Sequence, residues 1–173
     1  MDISSFIRNV PDFPKTGIQF KDVTTLLQNG PAFKFIIDGW KDRYADKRID
    51  VVVGADARGF IFASALAYAM GLPLSLVRKK GKLPHTTVSE TYELEYGTDT
   101  LEMHIDAVKK GDRVLLVDDL MATGGTMSAA VKLIEKLGGE VVEIACVVEL
   151  PLLKGRERLA GYPIHTLVEY MVE

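Results

Sequence analysis

The sequence predicts an α/β fold in which helices flank a mostly parallel, twisted central sheet. Short runs of β-branched and aliphatic residues, typical of strands buried on both faces, alternate along the chain with segments of helical periodicity. Such alternation favours right-handed crossovers and parallel strands. The length of 173 residues fits one domain over 1–173.

Composition narrows the class of protein. The formal net charge of −3 and the 26% of charged residues are ordinary for a soluble globular protein and do not suggest a nucleic-acid partner. The N-terminus lacks the pattern of a secretory signal, and the longest nearly apolar stretch, 60–74, is too short and too broken to span a bilayer. The single cysteine, Cys146, cannot form an intrachain disulfide. We therefore expect a cytoplasmic protein without a membrane partner.

The N-terminal part is predicted to contain two helices and a connecting loop. Apolar residues at helical spacing predict a helix over 2–9. The following segment, VPDFPKTGIQFKD, has two prolines, a glycine and no period, so we expect a loop. A second helix is expected to begin near Pro31, because proline is favourable in the first turn and an apolar stripe follows it.

The middle of the chain is predicted to hold two buried strands, a helix and a hairpin. IDVVVG and LPLSLV have strand character, and the apolar helix between them is expected to end at Gly71. Residues 78–89 contain glycine, proline and four clustered cations without a period, which predicts a long mobile loop of a kind that is often functional. Alternation on both sides of Gly97 predicts a hairpin.

The C-terminal part is predicted to complete the sheet. RVLLVDD and EVVEIACVVEL have the apolar character of buried strands, TMSAAVKLIEKL that of a helix, and YPIHTLVEY that of an edge strand. Ligands of parallel sheets bind beyond the carboxyl ends of the strands. The turns ADARG and DDLMATGGT both occupy such positions, and they are therefore the candidate site loops.

The clearest chemical signal is VLLVDDLMATGGTMSAA, residues 114–130. Gly124 and Gly125 allow backbone amides to approach a ligand closely, and the helix that follows presents unpaired N–H groups. Thr123 and Thr126 add hydroxyl donors. Together these groups predict a binding site for one phosphate.

Asp118 and Asp119 precede this loop and would repel an anion. They are better suited to accept hydrogen bonds from sugar hydroxyls, or to act as outer partners of Mg²⁺, which retains water ligands. Phosphate, diol and metal together describe a ribose 5-phosphate, whereas a tight βα turn with an Asp cap is the alternative. Neither G-x-x-x-x-G-K-[ST] nor G-x-G-x-x-G occurs, so the NTPase and dinucleotide hypotheses lose their main support.

Residues 114–130 resemble the phosphoribosyl pyrophosphate motif of type I phosphoribosyltransferases. The blocks VPDFPKTGIQFKDVTTLL, GADARGFIFASALAY, RKKGKLP, YELEYGTDTLEMHIDAV and LKGRERL are similar to the adenine phosphoribosyltransferase family. The resemblance implies the type I phosphoribosyltransferase fold, with a small N-terminal hood near 1–30 and a flexible lid hairpin near 78–98.

The resemblance also implies an activity. A 5-phosphoribosyl group would pass from phosphoribosyl pyrophosphate to adenine, giving AMP and pyrophosphate in purine salvage. Mg²⁺ would be the cofactor, held through the donor and water rather than directly by the protein, and the chain would form a homodimer. The alternatives are another base such as xanthine, hypoxanthine or orotate, a regulator that senses the donor without turnover, and a bare phosphate-binding scaffold.

Individual roles follow from the same resemblance. Glu95 would be the general acid/base at the purine, Arg58 would act on the pyrophosphate, and Tyr96 would be a lid contact. Judged from its alternating strand alone, Glu95 would instead be a solvent-facing partner of Glu93. The binding residues are, for the 5-phosphate, Ala122, Thr123, Gly124, Gly125 and Thr126; for the ribose, Asp118 and Asp119; for the pyrophosphate, Arg58, Arg78, Lys79 and Lys82; and for adenine, Gln19, Phe20 and Lys21.

Two places depart from the family pattern. Thr25 stands where proline is common, and we expect it to alter the rigidity of the hood. Ala63 and Ser64 stand where a glycine is usual, and we expect them to alter a helix contact. Neither place carries a group assigned to chemistry.

Overall fold

A computed structural model describes residues 1–93 and 97–172 of the chain. The strands are β1 (Arg8–Pro11), β2 (Gln19–Asp22), β3 (Val51–Ala55), β4 (Leu74–Lys79), β5 (Thr87–Glu93), β6 (Thr98–His104), β7 (Arg113–Met121), β8 (Glu140–Glu149) and β9 (Ile164–Glu169). The α-helices are α1 (Thr24–Leu27), α2 (Gly30–Tyr44), α3 (Gly59–Met70), α4 (Gly125–Lys136) and α5 (Gly155–Arg158). Two 3₁₀ turns lie at Ile3–Phe6 and Pro151–Leu153.

Within the described ranges, seven strands form the central sheet in the order β5-β6-β4-β3-β7-β8-β9. Strands β4, β3, β7, β8 and β9 are parallel to their neighbours in this series. The β5–β6 hairpin joins the series at the β4 edge, where β6 pairs antiparallel with β4. The predicted α/β class, the mostly parallel sheet and the position of the last strand at an edge are therefore confirmed.

Strand β7 shows why the predicted strands have uninterrupted apolar runs. Leu115 and Val117 pack with α2 and α3 on one face of the sheet, whereas Val114 and Leu116 pack with α4 on the other. Because both faces are covered, successive side chains are all buried and the strand needs apolar residues at every position. The apolar run stops at Asp118, where β7 reaches the carboxyl edge of the sheet.

The prediction of a helix over 2–9 is wrong. Only Ile3–Phe6 forms a 3₁₀ turn, capped by the Asp2 side chain, and the chain then enters β1. The predicted loop that follows contains the end of β1 and all of β2, which pair antiparallel. The Arg8–Asp22 ion pair, 2.6 Å from Nη2 to Oδ2, supports that pairing. Strand pairing between distant residues has overridden the local spacing, which a 3₁₀ turn also satisfies.

The predicted loop over 78–89 is shorter in the structure. Residues 78 and 79 belong to β4, because Arg78 pairs with Glu102 and Lys79 with Leu101 across the sheet. Strand β5 begins at Thr87, so the connecting loop covers only 80–86. The predicted hairpin around Gly97 is confirmed, and its ladder runs from the pair of Thr87 and His104 to the pair of Glu93 and Thr98.

The structure accounts locally for both departures from the family pattern. The Thr25 hydroxyl donates to the Phe6 carbonyl over 2.7 Å, which ties α1 to the N-terminal turn in a way that proline could not. Ala63 is fully buried against β3, where a Cβ on Gly54 would lie 2.8 Å from the Ala63 Cβ. The glycine at position 54 thus makes room for the alanine.

Cys146 is fully buried in β8, and burial raises the pKa of its thiol well above the ordinary value. Such a thiol is inert, and Cys146 acts as a small apolar residue of the core. In the described part of the chain, no helix combines the length and the apolar character needed to cross a membrane.

Candidate active site

The loop between β7 and α4 is held in a conformation that requires glycine. Gly124 has φ of +77°, and a Cβ at this position would lie 2.7 Å from the carbonyl oxygen of Gly155. A Cβ on Gly155 would in turn lie 2.5 Å from the carbonyl oxygen of Ala122. The loop therefore packs directly on the backbone of α5, and it leaves the N–H groups that begin α4 free to bind an anion.

Asp118 and Asp119 lie at the end of β7 and are only 8% and 4% exposed. The backbone N–H of Asp119 donates to Asp118 Oδ1 over 2.9 Å, and the Arg58 guanidinium donates to Asp119 Oδ2. Burial, together with the charge of Asp119, raises the pKa of Asp118 well above its usual range. The two carboxylates together can therefore accept more hydrogen bonds than the Arg58 guanidinium donates to them.

The N-terminus of α3 packs tightly against these carboxylates. A Cβ on Gly59 would lie 2.6 Å from Asp118 Oδ1, so only glycine fits beside the carboxylate. Arg58 directly precedes α3, and its side chain is partly exposed as it reaches toward β7. Close approach of β3, α3 and β7 thus brings the predicted Arg58 and the two predicted aspartates into one cluster.

These groups border a cavity of about 390 Å³ at the carboxyl edge of the parallel strands. The cavity brings together three predicted sets: the two aspartates, the loop from Ala122 to Thr126, and the cations Arg58 and Lys79. It is also lined by polar residues that the sequence did not single out, Asp56, Tyr92 and Asp99. One end of the cavity is therefore suited to an anion, and its middle is rich in acceptors.

The predicted pyrophosphate cations are placed less uniformly. Lys79 lines the cavity and pairs with Asp99, 3.0 Å from Nζ to Oδ2. Arg78 is turned toward Asp56, 3.3 Å from Nε to Oδ2, and does not line the cavity. Lys82 lies in the loop after β4, also away from the cavity lining, where its carbonyl accepts from Arg78 and its backbone N–H donates to the Lys79 carbonyl. The structure gathers Arg58 and Lys79 but not the other two cations.

A second cavity, of about 640 Å³, lies under the β1–β2 sheet. Its walls include the predicted adenine residues Gln19, Phe20 and Lys21 together with the apolar side chains Leu120, Leu150 and Leu153. Both cavities are bordered by Leu120, Ala122 and Thr123, so they meet at the loop from Ala122 to Thr126, the predicted phosphate loop. A flat apolar group could occupy the second cavity while a phosphorylated group occupies the first.

The Phe20 ring is fixed between two neighbours. It packs edge-to-face on Phe13, with centroids 5.1 Å apart, and the Arg58 guanidinium lies 5.5 Å from its centroid. The flanking side chains turn into the hood, since Gln19 accepts from Asn9 over 2.7 Å and Lys21 donates to Asn9 over 2.8 Å. Their polar ends are thereby engaged, which leaves backbone groups as the better candidates for reading a base.

Glu95 and Tyr96 lie outside the described residues, so their roles remain predictions. Glu93 is the last described residue of β5, and it lines the second cavity. Glu93 therefore shares a cavity with the predicted adenine residues.

Several residues around the cavities could not be found from the sequence. In the sequence, Leu150 and Leu153 are apolar residues like many others. They lie under the hood only because of the path that the chain takes after β8. Arg158 also lines the second cavity, with a guanidinium nitrogen 3.0 Å from where a Cβ on Gly125 would lie. Two features of the sequence could have indicated such residues. Arg158 is a cation within LKGRERL, and Asp56 directly follows a buried strand.

The carboxylates can be tested for their fit to Mg²⁺. Among residues 1–93 and 97–172, no group of three or more His, Cys, Asp or Glu side chains is placed to hold a metal ion. Asp118 and Asp119 do offer hard oxygen acceptors beside the phosphate loop. This donor set fits an ion that is held mainly by ligand oxygens and water.

Comparison with known proteins agrees with this geometry. The phosphoribosyl transferase domain family matches residues 23–161. A protein of Clostridium tetani named adenine phosphoribosyltransferase is 56% identical over 170 residues, which cover 98% of this chain and 99% of that protein.

Solved structures of high similarity carry the same name. The adenine phosphoribosyltransferase of Thermoanaerobacter pseudethanolicus has a TM-score of 0.94 at 49% identity and covers 97% of this chain and 98% of its own. The Saccharomyces cerevisiae enzyme, crystallised with adenine and an imino-altritol bisphosphate, has a TM-score of 0.91 at 38% identity, with 96% of each chain covered.

Proposed function

The chain belongs to the phosphoribosyl transferase family, and within it to the adenine phosphoribosyltransferases, and from this premise we propose how its residues act. The reaction is transfer of the 5-phosphoribosyl group from phosphoribosyl pyrophosphate to adenine, which yields AMP and pyrophosphate. The observation that carries the proposal is the meeting of a phosphate-loop cavity and an apolar cavity at Leu120, Ala122 and Thr123. A nucleotide needs both environments side by side.

The 5-phosphate is assigned to the loop from Ala122 to Thr126. Its glycines leave the backbone uncovered, and the α4 N-terminus supplies N–H donors and a partial positive charge. Asp118 and Asp119 accept hydrogen bonds from the ribose hydroxyls. Because these carboxylates are buried, donor hydroxyls relieve the electrostatic repulsion between them.

The pyrophosphate is assigned to the end of the cavity bordered by Arg58 and Lys79. A guanidinium can form two parallel hydrogen bonds to a phosphate, and Lys79 adds a point charge. Arg78 and Lys82 remain proposed contacts: Arg78 would have to turn from Asp56 to the cavity, and Lys82 requires the 80–86 loop to approach it. Stabilising charge as it develops on the leaving group is the largest catalytic contribution we expect.

Adenine is assigned to the second cavity, between Phe20 and the leucines opposite it. The bond from the anomeric carbon to pyrophosphate breaks as the bond to an imidazole nitrogen of adenine forms. Glu95 is proposed to take the proton that this nitrogen releases, a contribution of about 10²- to 10⁴-fold. No covalent intermediate with the protein is required.

Mg²⁺ is the proposed cofactor. Asp118 and Asp119 would hold it through ribose oxygens and water, and when bound it would neutralise charge on the pyrophosphate. We further propose that 1–173 acts as one domain, with a hood over about 1–30 and a lid over about 78–98, in a cytoplasmic homodimer. Light scattering of the purified protein measures the oligomeric state directly.

The test is AMP formation from adenine, phosphoribosyl pyrophosphate and Mg²⁺, with hypoxanthine, guanine and xanthine assayed in parallel. Activity with adenine alone supports the proposal. Preference for another base would keep the mechanism and overturn the base assignment, whereas donor binding without turnover would favour a regulator. An Asp119→Asn variant is the purity control, since activity that persists unchanged in it would come from a contaminant.

A further inference from the structure

Tyr92 borders the phosphate-loop cavity although it belongs to the hairpin and not to the loop. Its hydroxyl lies 3.4 Å from Thr126 Oγ1. The ring edge covers Gly125, where an added Cβ would lie 3.1 Å from Tyr92 Cδ2. Tyr92 thus contacts the two residues that begin α4.

Neighbouring contacts hold Tyr92 in this place without help from its hydroxyl. Glu90, two residues earlier on β5, pairs with Lys132 at 3.1 Å and with Lys136 at 2.6 Å. Lys136 also donates to the Ser89 carbonyl over 2.7 Å. Strand β5 is therefore clamped to α4 by charged contacts that do not involve the phenol.

The hydroxyl has two polar neighbours, Thr126 and Asp99, whose pKa is lowered by the hydrogen bond from Lys79 and in part by the one that Tyr92 donates. A separation of 3.4 Å from Thr126 Oγ1 is long for an O–H···O hydrogen bond, whose usual range ends near 3.0 Å. Because Tyr92 lines the same cavity as Thr126, an anion bound at the α4 N-terminus would lie within reach of both hydroxyls. A phosphate oxygen is a stronger acceptor than the Thr126 hydroxyl, since hydrogen bonds to charged groups exceed those between neutral groups.

We propose that Tyr92 is a further phosphate-binding residue, whose hydroxyl donates to the 5-phosphate beside Thr126. The assignment deepens the proposed function and rests on its placement of the 5-phosphate in this loop. It also gives the phosphate a contact on the hairpin. Tyr92 directly precedes Glu93, which lines the base cavity, and it faces Asp99, the partner of Lys79, across the ladder. Phosphate binding would therefore steady the strand that borders both the base and the pyrophosphate ends of the site.

The test compares Tyr92→Phe with Tyr68→Phe. Both changes remove one phenolic oxygen and keep the ring, but Tyr68 is 90% exposed on α3 and contacts neither cavity. Calorimetry measures binding of AMP, adenosine and ribose 5-phosphate to each protein. We expect Tyr92→Phe to weaken AMP and ribose 5-phosphate about ten-fold and to leave adenosine unchanged, as suits loss of one charge-assisted hydrogen bond.

The outcomes separate this inference from the proposed function. Unchanged AMP affinity in Tyr92→Phe, or an equal loss for AMP and adenosine, would overturn the role of the hydroxyl. If the wild-type protein binds ribose 5-phosphate but makes no AMP, the proposed function fails, and the ribose 5-phosphate comparison still decides the role of Tyr92. Thermal unfolding checks that the phenylalanine variant folds; if it does not, Tyr92→His, which retains a ring N–H donor, replaces it and should keep more ribose 5-phosphate affinity than Tyr92→Leu.

Discussion

Asp118, a proposed ribose-binding residue, is destabilising in the ionised form. The carboxyl is buried beside Asp119 and under α3, in surroundings that oppose its ionisation. Because its pKa is raised on folding, the ionised form destabilises the native state. The resulting loss of folding stability begins as pH rises above the ordinary pKa of an aspartate and grows until pH passes the raised pKa of Asp118. Function and stability are therefore in conflict at this position.

Asp118→Asn should stabilise the ligand-free protein at neutral pH. Asparagine keeps an oxygen to accept from the Asp119 N–H and removes the buried charge. A gain of about 1 kcal/mol would raise Tm by roughly 2–4 °C, and the gain should shrink toward pH 4. Calorimetric unfolding across pH measures it. Asp46→Asn, at an exposed aspartate, is the control, and a Tm gain that ignores pH would contradict the electrostatic explanation.

Glu95→Gln should lower kcat much more than it raises KM for phosphoribosyl pyrophosphate, because the amide cannot take the proton of the base. Steady-state kinetics with adenine measure both constants, and the exposed Glu157 supplies the control variant Glu157→Gln. Equal losses in kcat and affinity would make Glu95 a binding residue. A larger fall in kcat for Glu93→Gln would transfer the proton role to Glu93, which borders the base cavity.

Between elements, Glu143 joins β8 to the end of α2. Arg43 donates to it over 2.9 and 3.1 Å and Lys47 over 3.2 Å, while Glu143 itself is 4% exposed. Burial alone would raise the pKa of Glu143, but the hydrogen bonds from Arg43 and its other neighbours outweigh burial and lower it to about 2. The stability that these ion pairs contribute is therefore complete above the ordinary glutamate pKa of 4.5, and it is lost as pH falls toward about 2.

Glu143→Gln should lower the free energy of unfolding by about 1–2 kcal/mol at pH 7. This is less than for a fully buried ion pair, because the side chains of Arg43 and Lys47 are more than a third exposed and solvent screens their charges. The difference from the wild type should shrink between pH 4.5 and 2, which urea titrations at several pH values would measure. Glu140→Gln is the control, because Glu140 lies on β8 with Glu143 but is mostly exposed in its pair with Arg113 of β7, and it should change the free energy by less than about 0.5 kcal/mol. Equal losses in the two variants would show that burial adds nothing to the Glu143 pair.

Secondary structure was predictable where an element has one dominant cause. Helix α2 has an Asn29 cap, a proline in its first turn and a buried stripe that ends at Tyr44, all visible as local pattern. Strands β1 and β2 carry no such pattern. They exist because residues eight or more positions apart pair with each other, and local periodicity contains no information about that pairing.

For the whole molecule, the two sheets should differ in stability. Strands β1 and β2 form an isolated pair, whereas β7 is bonded on both sides and covered on both faces. A two-stranded sheet is marginal by itself. Backbone amides of β1 and β2 should therefore exchange with deuterium faster than those of β7, and AMP should slow the hood amides. Mass spectrometry of peptides after timed exchange measures this, and equal protection in both sheets would contradict the expectation.

The sequence by itself determined the α/β class, the succession of the main strands along the chain and the glycine-rich loop that is proposed to bind phosphate. Each of these depends on neighbours in the chain: buried parallel strands need unbroken apolar runs, and an anion site at a helix N-terminus needs glycines directly before the helix. The resemblance to a known family added the activity. Tertiary structure alone decided which residues share a cavity, because Leu150, Arg158 and Tyr92 reach the two cavities from three separate parts of the chain. It also turned Arg78 toward Asp56, since the direction of a side chain depends on partners that are distant in sequence.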